Sequence, residues 1–184
     1  MIAPRTRIGH GGRMHAKDIL IDAYGRIREE VHAAVDGLSP DLLNARPAEG
    51  TNSVAWLVWH LTRVQDDHVC EVAEREQAWL SEDWHERFAL DLPPRDIGYG
   101  HTPAKVAAVR VDSAELLTGY HDAVHERTVA FLGGLAAQDL DRIVDERWDP
   151  PVTLGARLVS VVSDDLQHVG QAAYVRGLLE ATAG

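Results

Sequence analysis

The sequence predicts an all-α protein, a four-helix bundle with up-down topology and one long crossover connection. Three observations predict it. Four segments repeat apolar residues at spacings of three and four, Gly and Pro residues separate these segments, and no segment shows the alternation of a β-strand. A chain of 184 residues, 45% of them hydrophobic, suits one ordinary domain. We expect a single bundle domain at residues 15–184, preceded by a flexible arm at residues 1–14, where no periodicity is visible.

Apolar stripes and end signals predict the first two helices. The first runs from about His15 to Val35, and Gly and Pro residues after it form a connector. The second begins behind Ser53, or the residue before it, as N-cap and extends toward Trp79. The inward positions of the first helix are Leu20, Ala23, Ile27, Val31 and Ala34, and those of the second are Val54, Leu57, Leu61 and Val64.

A long polar connector precedes the third and fourth helices. Its Pro and Gly residues span 93–103, and a short helix is predicted at 105–109. Connectors of this length often have a function, and we expect this one to cover a cleft. The third helix runs from a cap at Ser113, or the residue before it, to Gly133, and the fourth opens at Thr153. The stripe of the third comprises Leu117, Tyr120, Val124 and Phe131, and that of the fourth Leu158, Val161, Val162, Leu166, Val169, Ala172 and Val175.

The charge balance and the cysteine content argue against several classes of protein. Lys and Arg total 18 and Asp and Glu total 29, so the formal net charge is −11. Without a surplus of cations, neither a nucleic-acid backbone nor an anionic membrane is an expected partner. No apolar run approaches the roughly 18 to 20 residues of a membrane helix, and Cys70 has no second cysteine for an internal disulfide. We therefore expect a cytoplasmic protein.

Three polar residues interrupt the apolar stripes. His60 lies between Leu57 and Leu61 on the inward side of the second helix, and Asp164 and His168 are four apart on one face of the fourth. Burial of such groups without partners is costly. In one interpretation Asp164 accepts a hydrogen bond from His168, and His60 is an ordinary buried histidine. In the other, all three ligate a divalent metal with open positions, the pattern of a catalytic site. The spacing alone leaves both open.

Other residues are candidates for substrate or supporting contacts. They are Trp59, Asp67, His121, Gln171 and Arg176. His121 also forms an i, i+4 pair with His125 that competes as a ligand pair, although we expect both at the edge of the third helix. We expect the remaining histidines, His101 among them, at the surface, Asp66 on the solvated side of the second helix, and Cys70 as a small buried residue.

Two motifs resemble those of the DinB/YfiT-like superfamily. The first is the stretch Ser53–Asp67 and the second is Asp164–Gln171, continuing to Leu178. Order and spacing agree over about Lys17 to Leu179. The resemblance implies a four-helix bundle with a crossover, often homodimeric. It also implies a divalent metal held by one histidine of the second helix and an H-x-x-x-H pair of the fourth.

Carried over, His60 and His168 match ligand positions, and Asp164 stands where the first histidine of the pair is usual. This gives a His₂Asp set, with zinc as the expected ion and nickel, iron or manganese as alternatives. Relatives include transferases and isomerases that use small thiols such as mycothiol or bacillithiol, domains of sulfoxide synthases, and members without known activity. The resemblance thus implies a metal-dependent small-thiol S-transferase or isomerase of a detoxification type, acting on a small electrophile. The alternative is a binding or dimerisation module without catalytic activity.

Overall fold

The computed structural model describes residues 14–183, so most of the predicted arm at residues 1–14 lies outside the described residues. Within them, the helices are α1 (Ala16–Val35), α2 (Pro40–Asn44), α3 (Val54–Val72), α4 (Ala78–Ser81), α5 (Trp84–Phe88), α6 (Pro103–Ala108), α7 (Ala114–Gly133) and α8 (Leu154–Ala183). A 3₁₀ turn at Ala137–Asp141 and two strands, β1 (Ile143–Asp145) and β2 (Val152–Thr153), connect α7 to α8.

The four long helices form the predicted bundle. Both α1 and α3 pack against α7 and against α8, and the most extensive of these interfaces is the one between α3 and α8. Their inward side chains make one apolar core, and side chains such as Ile27, Leu61 and Leu158 are fully buried. Each such side chain contributes roughly 1.5 to 3 kcal/mol relative to an exposed position. The all-α bundle is therefore confirmed.

Polar caps fix where three of these helices begin, as predicted. The side chain of Ser53 accepts a hydrogen bond from the N–H of Trp56, that of Ser113 from Leu116, and that of Thr153 from Ala156. A cap of this kind contributes about 1 kcal/mol. The starts of α3 and α8 matter most here, because these two helices carry the three polar residues of interest.

Three expectations about the fold are wrong. The second predicted helix ends at Val72 and not near Trp79, since Glu74 has a left-handed φ of 54° and the chain turns back. The link before α8 contains an antiparallel strand pair, too short for alternation to reveal it. Leu166 is 46% exposed, because Val161 and Val169 occupy the inward face of α8 on either side of it.

No helix among the described residues combines the length and the apolar content that a membrane crossing needs. The predicted short helix in the connector corresponds to α6. The segment between α5 and α6, residues 89–102, is irregular, and it folds inward against α3.

Candidate metal centre

His60, Asp164 and His168 meet at the contact between α3 and α8. Each offers one ligand atom, and these atoms lie within 4.8 Å of one another. The two imidazole rings have centroids 4.8 Å apart and stand nearly perpendicular. His60 is buried, and the two residues of α8 are half-buried. The structure thus brings together the three residues singled out from the sequence.

In both imidazoles Nδ1 faces a carbonyl oxygen. Nδ1 of His60 donates to the backbone carbonyl of Ile97, and Nδ1 of His168 lies 2.9 Å from Oε1 of Gln171. Because a carbonyl oxygen only accepts, the proton of each neutral ring resides on Nδ1. The lone pair is then on Nε2, the arrangement that metal-binding histidines adopt.

Asp164 does not make the hydrogen bond that the simpler interpretation required. Its Oδ1 is 3.7 Å from Nε2 of His168, beyond hydrogen-bond distance. Its Oδ2 is buried and has no hydrogen-bond partner among the described residues. A buried carboxylate oxygen without a partner is costly. A divalent cation beside two imidazole lone pairs would supply that partner, so the donor set fits a metal such as zinc.

Burial lowers the pKa of His60, with a smaller contribution from the charge of His168, although the hydrogen bond to Ile97 opposes the shift. His60 is therefore neutral at neutral pH. Only a neutral imidazole offers a lone pair to a cation, so this shift favours metal binding.

The connector before α6 holds His60 from the outside. Asp96 accepts hydrogen bonds from the N–H of Gly98 (2.8 Å) and from Nε2 of His101 (2.9 Å). Nδ1 of His101 in turn accepts from Nε1 of Trp56, whose ring stacks on His60 at 4.6 Å. Although partial burial raises the pKa of Asp96, these hydrogen bonds hold it below its ordinary value.

Gly98 makes the close approach of this connector possible. Its φ is 90°, and a Cβ on it would lie 2.7 Å from Nδ1 of His60 and 3.0 Å from the ring of Trp59. The expectation that His101 lies at the surface is wrong, since its side chain is 1% exposed. The glycines of the segment Asp96–His101 were the available signal, because they allow a close turn against another element.

The supporting candidates divide into those near the site and those away from it. Gln171 contacts His168, while Trp59 is buried and stacks on His101, so Trp56 and not Trp59 covers the ring of His60. Asp67 and Arg176 have their contacts elsewhere, and their roles stay predictions. Asp67 accepts from Gln77, and Arg176 donates to the carbonyl of Ala33 and to Glu180.

Two further residues are more buried than expected. His121 is fully buried rather than at a helix edge, its ring nitrogens have no partner among the described residues, and burial lowers its pKa to about 3. It lies beside His125 and not at the metal centre. Asp66 is also buried, and accepts from Tyr120 and from two backbone N–H groups of α4.

Cys70 is buried, as expected, and its thiol donates to Asp66. Burial, with the charge of Asp66 adding to it, raises the pKa of this thiol to about 12. Asp165, not singled out from the sequence, has both carboxylate oxygens buried without a partner among the described residues, and burial raises its pKa well above the ordinary value.

A cavity of about 420 Å³ opens beside Asp164, between α3, α8 and the strand pair. Polar side chains at its wall include His68, Asp145, Arg147 and Arg157, and Trp148 lies at its edge. The candidate metal centre therefore has a neighbouring space large enough for a small molecule.

Comparisons with known proteins agree with this fold. A model of the DinB superfamily matches residues 23–172, a range that contains all three candidate ligands. The crystal structure of the conserved protein of a locus from Enterococcus faecalis is 33% identical, with a TM-score of 0.86, and covers 92% of this chain and 99% of that chain. None of the curated proteins matches.

Proposed function

The chain belongs to the DinB superfamily, and on that premise we propose that it is a divalent-metal-dependent enzyme of small-thiol chemistry, an S-transferase or isomerase. The observation that carries the proposal is the convergence of His60, Asp164 and His168, whose ligand atoms lie within 4.8 Å of one another, together with a buried carboxylate oxygen of Asp164 that has no partner among the described residues. Three protein ligands leave open positions for a small thiol, which is the pattern of a catalytic metal. Zinc is the ion that we propose.

A divalent ion supplies positive charge that lowers the pKa of a nearby thiol, so that a thiolate forms near neutral pH. In the transfer reaction, the thiol proton leaves to solvent, sulfur forms a bond to an electrophilic carbon, and the leaving group departs with its electron pair. Ile97 and Gln171 hold the two imidazoles in the required tautomer. Trp56 and the connector shield His60 from water.

The sulfur in this proposal comes from a small molecule because the protein's own thiol is unsuited to attack. Cys70 is the one cysteine of the chain, and its raised pKa keeps it protonated.

A second copy of the chain is the proposed partner. Exposed apolar side chains along α8, Val159, Leu166, Tyr174 and Leu178, support this proposal. The cytoplasmic location stays a prediction.

Metal content and thiol-dependent turnover test the proposal. Protein purified without chelator is expected to carry about one equivalent of metal, and His168→Ala is expected to lose it. His125→Ala is the matched control, since His125 is also a half-buried helical histidine but lies away from the centre. Mycothiol or bacillithiol with 1-chloro-2,4-dinitrobenzene would then be consumed by the wild type and not by His168→Ala.

Two results would contradict the proposal. Equal metal content in wild type and His168→Ala would exclude these ligands. Metal bound without any thiol consumption would instead favour the module without catalytic activity.

A further inference from the structure

The cavity beside Asp164 contains hydrogen-bond donors that the metal centre does not use. The guanidinium of Arg157 donates through Nη1 to Nδ1 of His68 (3.0 Å) and through Nη2 to Asp145 (3.0 Å). A guanidinium only donates, so Nδ1 of His68 must be the accepting, unprotonated nitrogen. The proton of the neutral imidazole is then on Nε2, which makes His68 a further donor at the wall of the cavity.

Arg147 adds a second guanidinium to the same wall. It binds Asp145 through Nε (2.9 Å) and Nη2 (2.8 Å), which leaves Nη1 without a partner among the described residues. Asp145 is thereby neutralised by one arginine and contacted by another, and its pKa is held well below the ordinary value by the hydrogen bonds from Arg147. Glu71, which is exposed and outside the cavity, also lies 3.5 Å from Arg157.

Apolar side chains, together with Ser160 and Asp164, form the rest of the cavity lining. The apolar ones include Val64, Val152 and Val161, and the ring of Trp148 is 66% exposed at the edge of the cavity. On the side away from Asp164 the two arginines face Asp145, and Glu71 offsets the remaining positive charge only weakly, because it contacts Arg157 from the solvent side. This combination matches a singly charged anion on a flat apolar body better than a phosphate, whose second charge would face Asp145 and Asp164.

We propose that this cavity binds the carboxylate of a small organic acid, with Arg157, Arg147 and His68 as its donors and Trp148 packing on its apolar body. The proposal rests on the proposed function in one respect, namely that this acid is the electrophile of the thiol reaction. Carboxylate binding itself needs only the cavity. The acid is held beside Asp164, next to the position where the thiol sulfur would be activated.

Benzoate, with benzamide as its uncharged analogue, is a suitable probe. Binding is followed by NMR through the indole resonance of Trp148, identified by its loss in Trp148→Phe. Benzoate is expected to shift this resonance and benzamide to bind at least tenfold more weakly. Arg147→Gln is expected to weaken the binding of benzoate only about fivefold, since this arginine is mostly exposed. Arg157→Gln is expected to weaken it tenfold or more.

Arg176→Gln is the matched control, because Arg176 is on the same helix but donates to Ala33. It should leave benzoate affinity unchanged. If Arg157→Gln fails to fold, the benzoate affinity of Arg147→Gln tests the proposal instead. This variant is expected to fold, because Arg147 lies in a loop and Asp145 keeps its hydrogen bond from Arg157. The measurements are repeated in His168→Ala, where benzoate binding is expected to persist without metal.

The outcomes separate this proposal from the proposed function. Benzoate binding that depends on the arginines, in a protein that consumes no thiol, sustains the carboxylate site and removes the enzymatic role. Benzoate binding that is indifferent to both arginines, or that disappears in His168→Ala, overturns the carboxylate site, since the anion would then be a metal ligand. Equal binding of benzamide overturns it as well.

Discussion

Replacement of Gly98 by Ala tests whether the connector holds His60 in the orientation that we propose for metal binding. The new Cβ would lie 2.7 Å from Nδ1 of His60 and 3.0 Å from the ring of Trp59. Neither neighbour is the end of a flexible chain, because both rings are packed in the core at α3. The connector must therefore move outward, and the carbonyl of Ile97 with it.

The expected magnitude has two parts. Gly98 has a φ of 90°, and a non-glycine residue in the left-handed region costs about 1 to 2 kcal/mol. Loss of the partner of a metal-binding histidine typically lowers metal affinity by about 10- to 100-fold, which equals about 1.4 to 2.7 kcal/mol. Gly98→Ala should therefore lower both the free energy of unfolding and the affinity for zinc.

Gly100→Ala is the matched control. Gly100 also has a positive φ, 68°, but a Cβ there meets nothing within 4 Å. This variant should lose about 1 to 2 kcal/mol of stability from backbone strain alone and keep its zinc affinity. Urea unfolding measures the stability of both variants, and competition with a chromophoric chelator measures zinc affinity. Equal zinc affinities in the two variants would refute the role assigned to the Ile97 carbonyl.

Three other predictions concern single side chains. Gln171→Ala removes the acceptor of Nδ1 of His168 and should lower zinc affinity about 10- to 100-fold. Because Gln171 is exposed, the free energy of unfolding should change little. Unchanged zinc affinity in the chelator competition would contradict this prediction. Asp66→Ala leaves Arg63 and two N–H groups of α4 without their buried partner. The free energy of unfolding, measured with urea, should therefore fall by about 3 to 5 kcal/mol. A loss below about 1 kcal/mol would contradict the stabilising role of these contacts. His121 has a folded pKa of about 3 against 6.5 in the unfolded chain, so the unfolded state binds the extra proton. Its contribution is fully present above about pH 6.5, and stability falls by up to about 1.4 kcal/mol per pH unit as the pH decreases from there toward 3. His121→Leu should flatten that part of the unfolding profile, and an unchanged slope would show that this imidazole is not buried and neutral.

Helical periodicity could predict the bundle and the candidate ligands, because both depend on which way a side chain points from its own helix. His60, Asp164 and His168 were placed inward by spacing alone, and the structure brings them together. Periodicity could not predict His101, which lies in an irregular connector. Its position depends on Asp96 and Gly98 folding that connector back onto α3.

The errors at Asp66 and His121 have a different origin. A helical stripe predicts a core face and assumes that the opposite face is solvated. Residues 53–66 of the chain are all buried, because α3 contacts α2, α7, α8 and the connector at once. The polar side chains on the outer faces of α3 thus meet other elements instead of water. Asp66 is satisfied there by the N–H groups of α4, a contact over 12 residues that no local pattern reveals.

The carboxylate of Asp164 affects the charge balance between the proposed metal centre and the proposed acid site. Two neutral imidazoles and one carboxylate carry a charge of −1, so a divalent ion leaves +1 on the centre, where three histidines would leave +2. The centre then attracts an anionic substrate less, while Arg147 and Arg157 keep N–H donors across the cavity that Asp145 does not use. An acid is therefore drawn by its carboxylate to the arginines, and the open positions at the metal remain free for the thiol. Asp164 in place of a third histidine is thus consistent with a site that holds its two reactants by separate groups.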